Sequence, residues 1–187
     1  AHGGGLVFKN NTNFDFEEKI SDKIFRWNSD ISKKYKNLFV RLSPSLPSIK
    51  IKKLKKSDNC TIVFTEQGKY LRVFPATPIF SQSLDIFNEL IQFVSELNPE
   101  IKLKVKFRTK VTKGYNTAKK FSEIFGDKYL DKVSVKNSFS KTIQNSKLLI
   151  ITSPQTAFSE SMHSNIPTIL IMKKKHHLLT ETSVNTF

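Results

Sequence analysis

The chain has 187 residues, of which 31 are basic and 16 acidic, for a formal net charge of +15. Only 38% of them are apolar, but 16 phenylalanines supply bulky core material, which excludes a disordered class. Cys60 is the one cysteine, so no internal disulfide and no Cys-based metal site can form, and no apolar run nears the roughly 20 residues that span a bilayer.

The charge excess points to anionic partners: nucleic acid, membrane lipid or phosphorylated small molecules. It does not choose among them, and a Lys- and Asn-rich composition would produce it without any partner. The cysteine content suits a reducing compartment. The opening "AHGGGLVFKN" has neither an initiator Met nor a signal-peptide apolar region, so the chain reads as a fragment or a processed product.

Residues 1–57 read as an irregular connecting segment with short elements. "AHGGG" is a flexible turn, and "DKIFRWNSD" a short strand running into a turn. "SPSLPSIKIKKLKKSDN" has the Ser, Pro and Lys of a surface connection. Its "IKIKKLKK" fits either a basic edge strand or a solvated linker.

Residues 58–187 read as one α/β domain. "CTIVFTE" is a β-branched strand. "PIFSQSLDIFNELIQFVSELNPE" is a helix with Leu84, Phe87, Leu90, Ile91 and Val94 on one face; Ser81 or Ser83 would cap it, and Asn98 and Pro99 would end it. "IKLKVKFRT" follows as a strand, then "YNTAKKFSEIFGDKY" as a helix with Gly126 as C-cap. "KVSVK" is a short strand, and "SFSKTIQNSK" a short helix capped by Ser138. "LLIITS", "PQTAFSESMHSN" and "PTILIM" complete the series as strand, helix and strand.

Strands alternating with helices over short connections predict a Rossmann-like parallel sheet with helices on both faces. The unbroken runs "LLIIT" and "TILIM" suit strands buried on both sides. "KLKVKF" instead alternates Lys with apolar residues. That strand has either a thinly covered face or a charged cleft beside it.

In such a sheet, ligands bind beyond the carboxyl ends of the strands. Here those ends present Lys69, Arg108, Lys110, Lys113, Lys136, Lys173 and Lys174 around hydroxyl-rich helix starts. Backbone N–H groups and the dipole at a helix N-terminus favour phosphate, and Ser153 and Thr156 would add donors. Pro154 suits the first helical turn. No GxGxxG and no GxxxxGK[ST] is present, so any phosphate is held without a glycine loop.

Each candidate also has a plainer role. Thr152, Ser153 and Thr156 would serve equally as an N-cap cluster, which can still bind ligand. Glu160 is either a surface acid compensating the helix dipole or a bidentate acceptor for two vicinal ribose hydroxyls. Arg108 is either a solvated strand end or a fork gripping phosphate. His163 is expected on the outer helix face. A metal site at His176 and His177 is not expected without nearby carboxylates.

The series "LLIITSPQTAFSESMHSNIPTILI" resembles the nucleotide-sugar-binding half of GT-B glycosyltransferases: a buried strand, a Ser/Thr turn, a helix bearing Glu, then a Pro-led strand. "AHGGG" is similar to the HGG turn of bacterial surface-carbohydrate transferases related to Kdo- and capsule-type enzymes. "SDKIFRWN" resembles their aromatic segment. "KVKFRTK" resembles a strand end in which Pro follows, but Thr109 stands there, which weakens the transfer of a role to Arg108.

The resemblance implies the C-terminal, donor-binding half of a two-domain glycosyltransferase, inactive without its N-terminal domain. It implies transfer of a sugar from a nucleotide-sugar to a cell-surface polysaccharide or lipopolysaccharide acceptor. Thr152, Ser153 and Thr156 would hold phosphate, Glu160 the ribose, and Arg108 would neutralise charge. His2 would face the reacting sugar as a catalytic residue, or else be a flexible terminal residue. No cofactor and no metal are implied, since helix dipoles and basic side chains stabilise the leaving phosphate.

The implied partners are the nucleotide-sugar donor, a glycan or lipid-linked acceptor and the enzyme's own N-terminal domain. The location is cytoplasmic, with peripheral association at the inner membrane face. Two rival functions remain: a polyol-phosphate (CDP-glycerol-type) transferase, which shares the fold, and a basic nucleic-acid-binding module. "IKIKKLKK" lacks the interleaved aromatics of the latter, so nucleic acid is not the expected partner.

Overall fold

A computed structural model describes residues 20, 22–26, 39–41, 57–65, 80–109, 116–131, 139–173 and 176. Two short strands, β1 (Ile24–Arg26) and β2 (Phe39–Arg41), pair in parallel as a sheet of their own. The first lies in the expected "DKIFRWNSD" segment. The second falls in a stretch that the sequence reading left irregular; three residues are too few to show a period.

The main sheet has four parallel strands: β3 (Cys60–Phe64), β4 (Val105–Thr109), β5 (Leu148–Ile151) and β6 (Thr168–Leu170), in the spatial order β4-β3-β5-β6. Leu130 adds an isolated parallel bridge to Phe107 on the outer side of β4. The "KVSVK" strand expected next lies outside the described residues. Between the strands run α1 (Phe80–Glu96), α2 (Pro99–Lys102), α3 (Thr117–Phe125), a 3-10 turn (Asp127–Tyr129), α4 (Phe139–Gln144) and α5 (Thr156–His163). The expected α/β, Rossmann-like arrangement is therefore present.

Strand alternation divides the core in two. Ile62, Phe64, Val105, Phe107 and Ile150 face one way, against Phe87, Leu90 and Val94 of α1 and Phe121 of α3. Val63, Leu149 and Ile151 face the other way, against Ile143 of α4 and Ala157 and Phe158 of α5. Helices thus cover both faces. The first face is aromatic: Phe107 stacks on Phe121 at 4.2 Å and on Phe64 at 6.1 Å, and Phe87 meets both Phe64 and Phe107 edge-on.

Some local boundaries differ from the sequence reading. Ser81 and Ser83 lie within α1, which already includes Phe80, so neither caps it; Ser83 is buried instead. Asn98 and Pro99 do follow the end of α1, but they also start α2. The Asn98 side chain accepts the Glu100 N–H at 3.0 Å, and Pro99 occupies the first turn, where no N–H is needed. The following strand consequently begins at Val105, not Ile101. Gly126 ends α3 as expected: its φ of 98° suits glycine, and its N–H donates to the Ser122 carbonyl at 2.7 Å.

Candidate functional site

The strand order contains a reversal. The chain passes from β3 to β4 by way of α1 on the aromatic face, and from β5 to β6 by way of α5 on the opposite face. Connections leaving adjacent strands toward opposite faces open a crevice at their carboxyl ends, where ligands bind in this architecture. That crevice lies beyond Phe64 of β3 and Ile151 of β5. The "ITSPQTAFSE" stretch runs along it.

Thr152 and Ser153 do not cap α5. The cap position belongs to Gln155, in extended conformation, and its side chain makes no capping bond. The chain runs on as a bend through 152–155 before the helix begins, so both hydroxyls lie ahead of the cap, and so does Pro154. Thr152 ties the two central strands together: its Oγ1 accepts the Thr65 N–H at 3.2 Å, and its own N–H donates to the Val63 carbonyl at 3.3 Å.

Ser153 is different. It is 2% exposed, and its Oγ has no hydrogen-bond partner among the described residues. A buried hydroxyl left unsatisfied costs about 1–3 kcal/mol, so such a group calls for an explanation. Thr156 is exposed and opens the helix.

Glu160 follows one turn into α5 and is half-buried. Burial pushes its carboxyl above the ordinary value, and the Arg108 guanidinium partly offsets this. The fold therefore brings Glu160 and Arg108 within electrostatic reach of one another.

Arg108 is not a solvated strand end. It points to the same face of the sheet as α4 and α5, with 14% of its side chain exposed. Its Nη1 donates to Thr142 Oγ1 at 2.8 Å and lies 3.6 Å from Asp131 Oδ2. Thr142 Oγ1 donates in turn to Asp131 Oδ2 at 2.9 Å, and the guanidinium sits 5.7 Å from the Phe139 ring centre. This accounts for the alternating "KLKVKF" pattern. Val105 and Phe107 enter the aromatic core, while Lys106 and Arg108 face polar groups, Lys106 donating to the Lys128 carbonyl at 2.6 Å.

Of the basic strand-end residues, Arg108 and Lys173 fall within the described residues, and Lys173 is bound to Glu89. Lys69, Lys110, Lys113, Lys136, Lys174 and the catalytic candidate His2 lie outside them. His163 is exposed, as expected, whereas His176 is buried and its backbone N–H donates to the Lys173 carbonyl at 3.0 Å. Among the described residues, no group of three or more His, Cys, Asp or Glu side chains is gathered as a metal would need. Burial also pushes the Cys60 thiol up, away from a reactive thiolate.

A cleft of about 470 Å³ opens at the opposite end of the sheet, near Thr61, Lys106, Asn145 and Ser146. Its polar groups bond to one another. Thr61 Oγ1 and Ser146 Oγ are 2.6 Å apart, and Ser146 Oγ also donates to the Thr142 carbonyl at 2.7 Å. Groups already bonded to one another leave little for a ligand, whereas the crevice contains the Ser153 hydroxyl, which has no partner among the described residues.

Asp131, Thr142 and Phe139 escaped the sequence reading. Thr142 stands 34 positions from Arg108, and nothing in its neighbourhood marks it as polar-core. The one available signal was Arg108 itself, a cation in a strand with a buried face, which requires a carboxylate somewhere.

A family model described as LIC12162 family transferase matches residues 1–187, and the chain belongs to that family. No curated protein matches the chain. No solved structure matches it either. The protein is thus a transferase with an α/β parallel sheet, and among the described residues no helix is long and apolar enough to cross a membrane.

Proposed function

Taking the chain as a member of a transferase family, we propose that it provides the donor-binding part of a glycosyltransferase, with a nucleotide-sugar as donor and a cell-surface glycan or lipid-linked glycan as acceptor. The observation that carries this reading is the buried Ser153 hydroxyl, which has no partner among the described residues, ahead of an α5 N-terminus whose Gln155 side chain makes no capping bond. An anionic oxygen in the crevice would accept a hydrogen bond from the Ser153 hydroxyl and meet the positive end of the helix dipole. Thr156, exposed at the helix start, would add a second hydroxyl.

Glu160, one turn deeper, would accept hydrogen bonds from two vicinal ribose hydroxyls. Burial raises its proton affinity and the Arg108 charge partly offsets this, and loss of its proton would be favoured when those donors arrive. Arg108 would neutralise charge on the leaving phosphate from the side of the sheet. Thr152 would act from behind, by fixing the strand ends that frame the crevice. The donor is a substrate here, with no separate cofactor, and the site works at the cytoplasmic side of a membrane that holds the acceptor.

Thermal denaturation with added CMP, UMP, CDP and UDP tests the reading. At least one nucleotide should raise Tm in a concentration-dependent way. Ser153→Ala and Glu160→Ala should each abolish that rise. If none of the nucleotides shifts Tm, the donor assignment fails. If a shift survives both substitutions, the ligand binds elsewhere.

A further inference from the structure

The chain enters α5 through a three-residue turn centred on Pro154. The Gln155 N–H donates to the Ser153 carbonyl at 2.8 Å, and the Pro154 ring is fully buried beneath it. Gln155 leaves the turn with φ of −111° and ψ of −159°, the extended backbone of a cap residue. Its carbonyl accepts the Ser159 N–H at 3.1 Å, the first bond of the helix. The Gln155 side chain nevertheless makes no capping bond. Gln is one methylene longer than Asn and is not among the residues that turn back well onto the first helical N–H groups.

The donors that a cap would satisfy are therefore still available. The N–H groups of Thr156 and Ala157 have no hydrogen-bond partner among the described residues. Neither has Ser153 Oγ, on a residue 2% exposed. Water can serve N–H groups at an exposed helix end. Ser153 Oγ is enclosed, and a bound acceptor would answer its demand. Two backbone N–H groups and one hydroxyl within residues 153–157 make a donor set suited to the oxygens of one tetrahedral anion.

We propose that the cap of α5 is supplied by the ligand: a phosphoryl group takes the place of a capping side chain, and Gln155 is the residue that keeps this place vacant. The proposal rests on the reading of the crevice as the phosphate site of the donor. An Asp, Asn or Ser at position 155 would satisfy the same N–H groups and stabilise the empty chain, but would leave the anion little to bind. Stability and binding are thus opposed at one residue.

The test measures Tm of the full chain against inorganic phosphate, with chloride at equal ionic strength as the reference. Phosphate should raise the wild-type Tm in a concentration-dependent way. Gln155→Asp, whose carboxylate caps the helix, should raise Tm without phosphate by about 2–4 °C and abolish the phosphate response. Gln155→Asn, a neutral cap, should be more stable than wild type and respond less to phosphate than wild type does. Gln155→Ala leaves the place vacant and should respond like wild type. No phosphate response in wild type overturns the proposal, and so does a full response in Gln155→Asp. A Gln155→Asp chain no more stable than wild type shows that the N–H groups are not open to a cap, and overturns it as well. Loss of the response in Gln155→Ala makes Gln155 a ligand contact and not the keeper of a vacancy.

Phosphate as the probe separates this outcome from the nucleotide test. A chain that follows the phosphate pattern yet binds no nucleotide keeps the ligand-supplied cap and loses the donor assignment. A chain that binds nucleotide through Glu160 with equal strength in Gln155→Asp does the reverse.

Discussion

The two faces of the main sheet are built on different principles. The face under α1 and α3 is a continuous aromatic stack, from Phe64 and Phe87 through Phe107 and Phe121 to Phe125 and Tyr129. The face under α4 and α5 has a smaller apolar cluster, and beside it the Arg108–Thr142–Asp131 network and the Thr61–Ser146 pair. Burying rings against rings is non-directional and tolerant of small shifts. Burying polar groups demands that every donor meet an acceptor, and a missing partner is costly. One face therefore supplies stability, while the other holds polar groups in defined positions beside the crevice.

The strongest way to break the contrast is Phe107→Ala. The ring is 1% exposed and touches three others, so its loss should cost about 3–5 kcal/mol in urea denaturation. A cost below about 1 kcal/mol would mean that the stack does not carry the stability of this face. On the polar face, Thr142→Val keeps the volume but removes the bridge between Arg108 and Asp131, and should cost about 1–3 kcal/mol by the same measurement. A variant as stable as wild type would show the direct Arg108–Asp131 ion pair to be an equal substitute for the hydroxyl bridge.

Glu160→Gln sharpens the comparison through pH. The folded chain holds the Glu160 proton more tightly than the unfolded chain, whose ordinary value is 4.5. The native state thus binds more protons between that value and the raised one, and stability falls as pH rises through this window. Glu160→Gln should lack that decline. Its stability relative to wild type should grow from pH 4 to pH 7, measured by denaturation at a series of pH values. A constant difference across the range would contradict the burial of the carboxyl. The smallest effect belongs to the solvent-exposed Lys119–Glu123 pair on α3, where Glu123→Gln should change stability by about 0.3–0.5 kcal/mol, and less at high salt.

The same contrast explains how much could be read in advance. The α1 stripe of Phe87, Leu90 and Val94 entered the core as its spacing requires, because helical period and burial are both local properties of the chain. The runs "LLII" and "TIVF" became central strands for the same reason. The sequence also marked Glu160 and Arg108 individually, as charged residues beside strand ends. It could not assign Thr152, because a hydroxyl before a helix looks alike whether it caps that helix or accepts the Thr65 N–H of a neighbouring strand.

Alternation and helical period, then, were enough to determine the α/β class, most of the elements and the buried faces of the strands, since these depend on patterns of a few residues. Only the tertiary structure decided that β3 and β5 lie side by side with their connections diverging, that Ser153 is enclosed beside them with no partner among the described residues, and that Arg108 bonds to Thr142 and pairs with Asp131. Each of these joins residues far apart in the chain. Their pairing depends on the order of strands in the sheet, which no local pattern encodes.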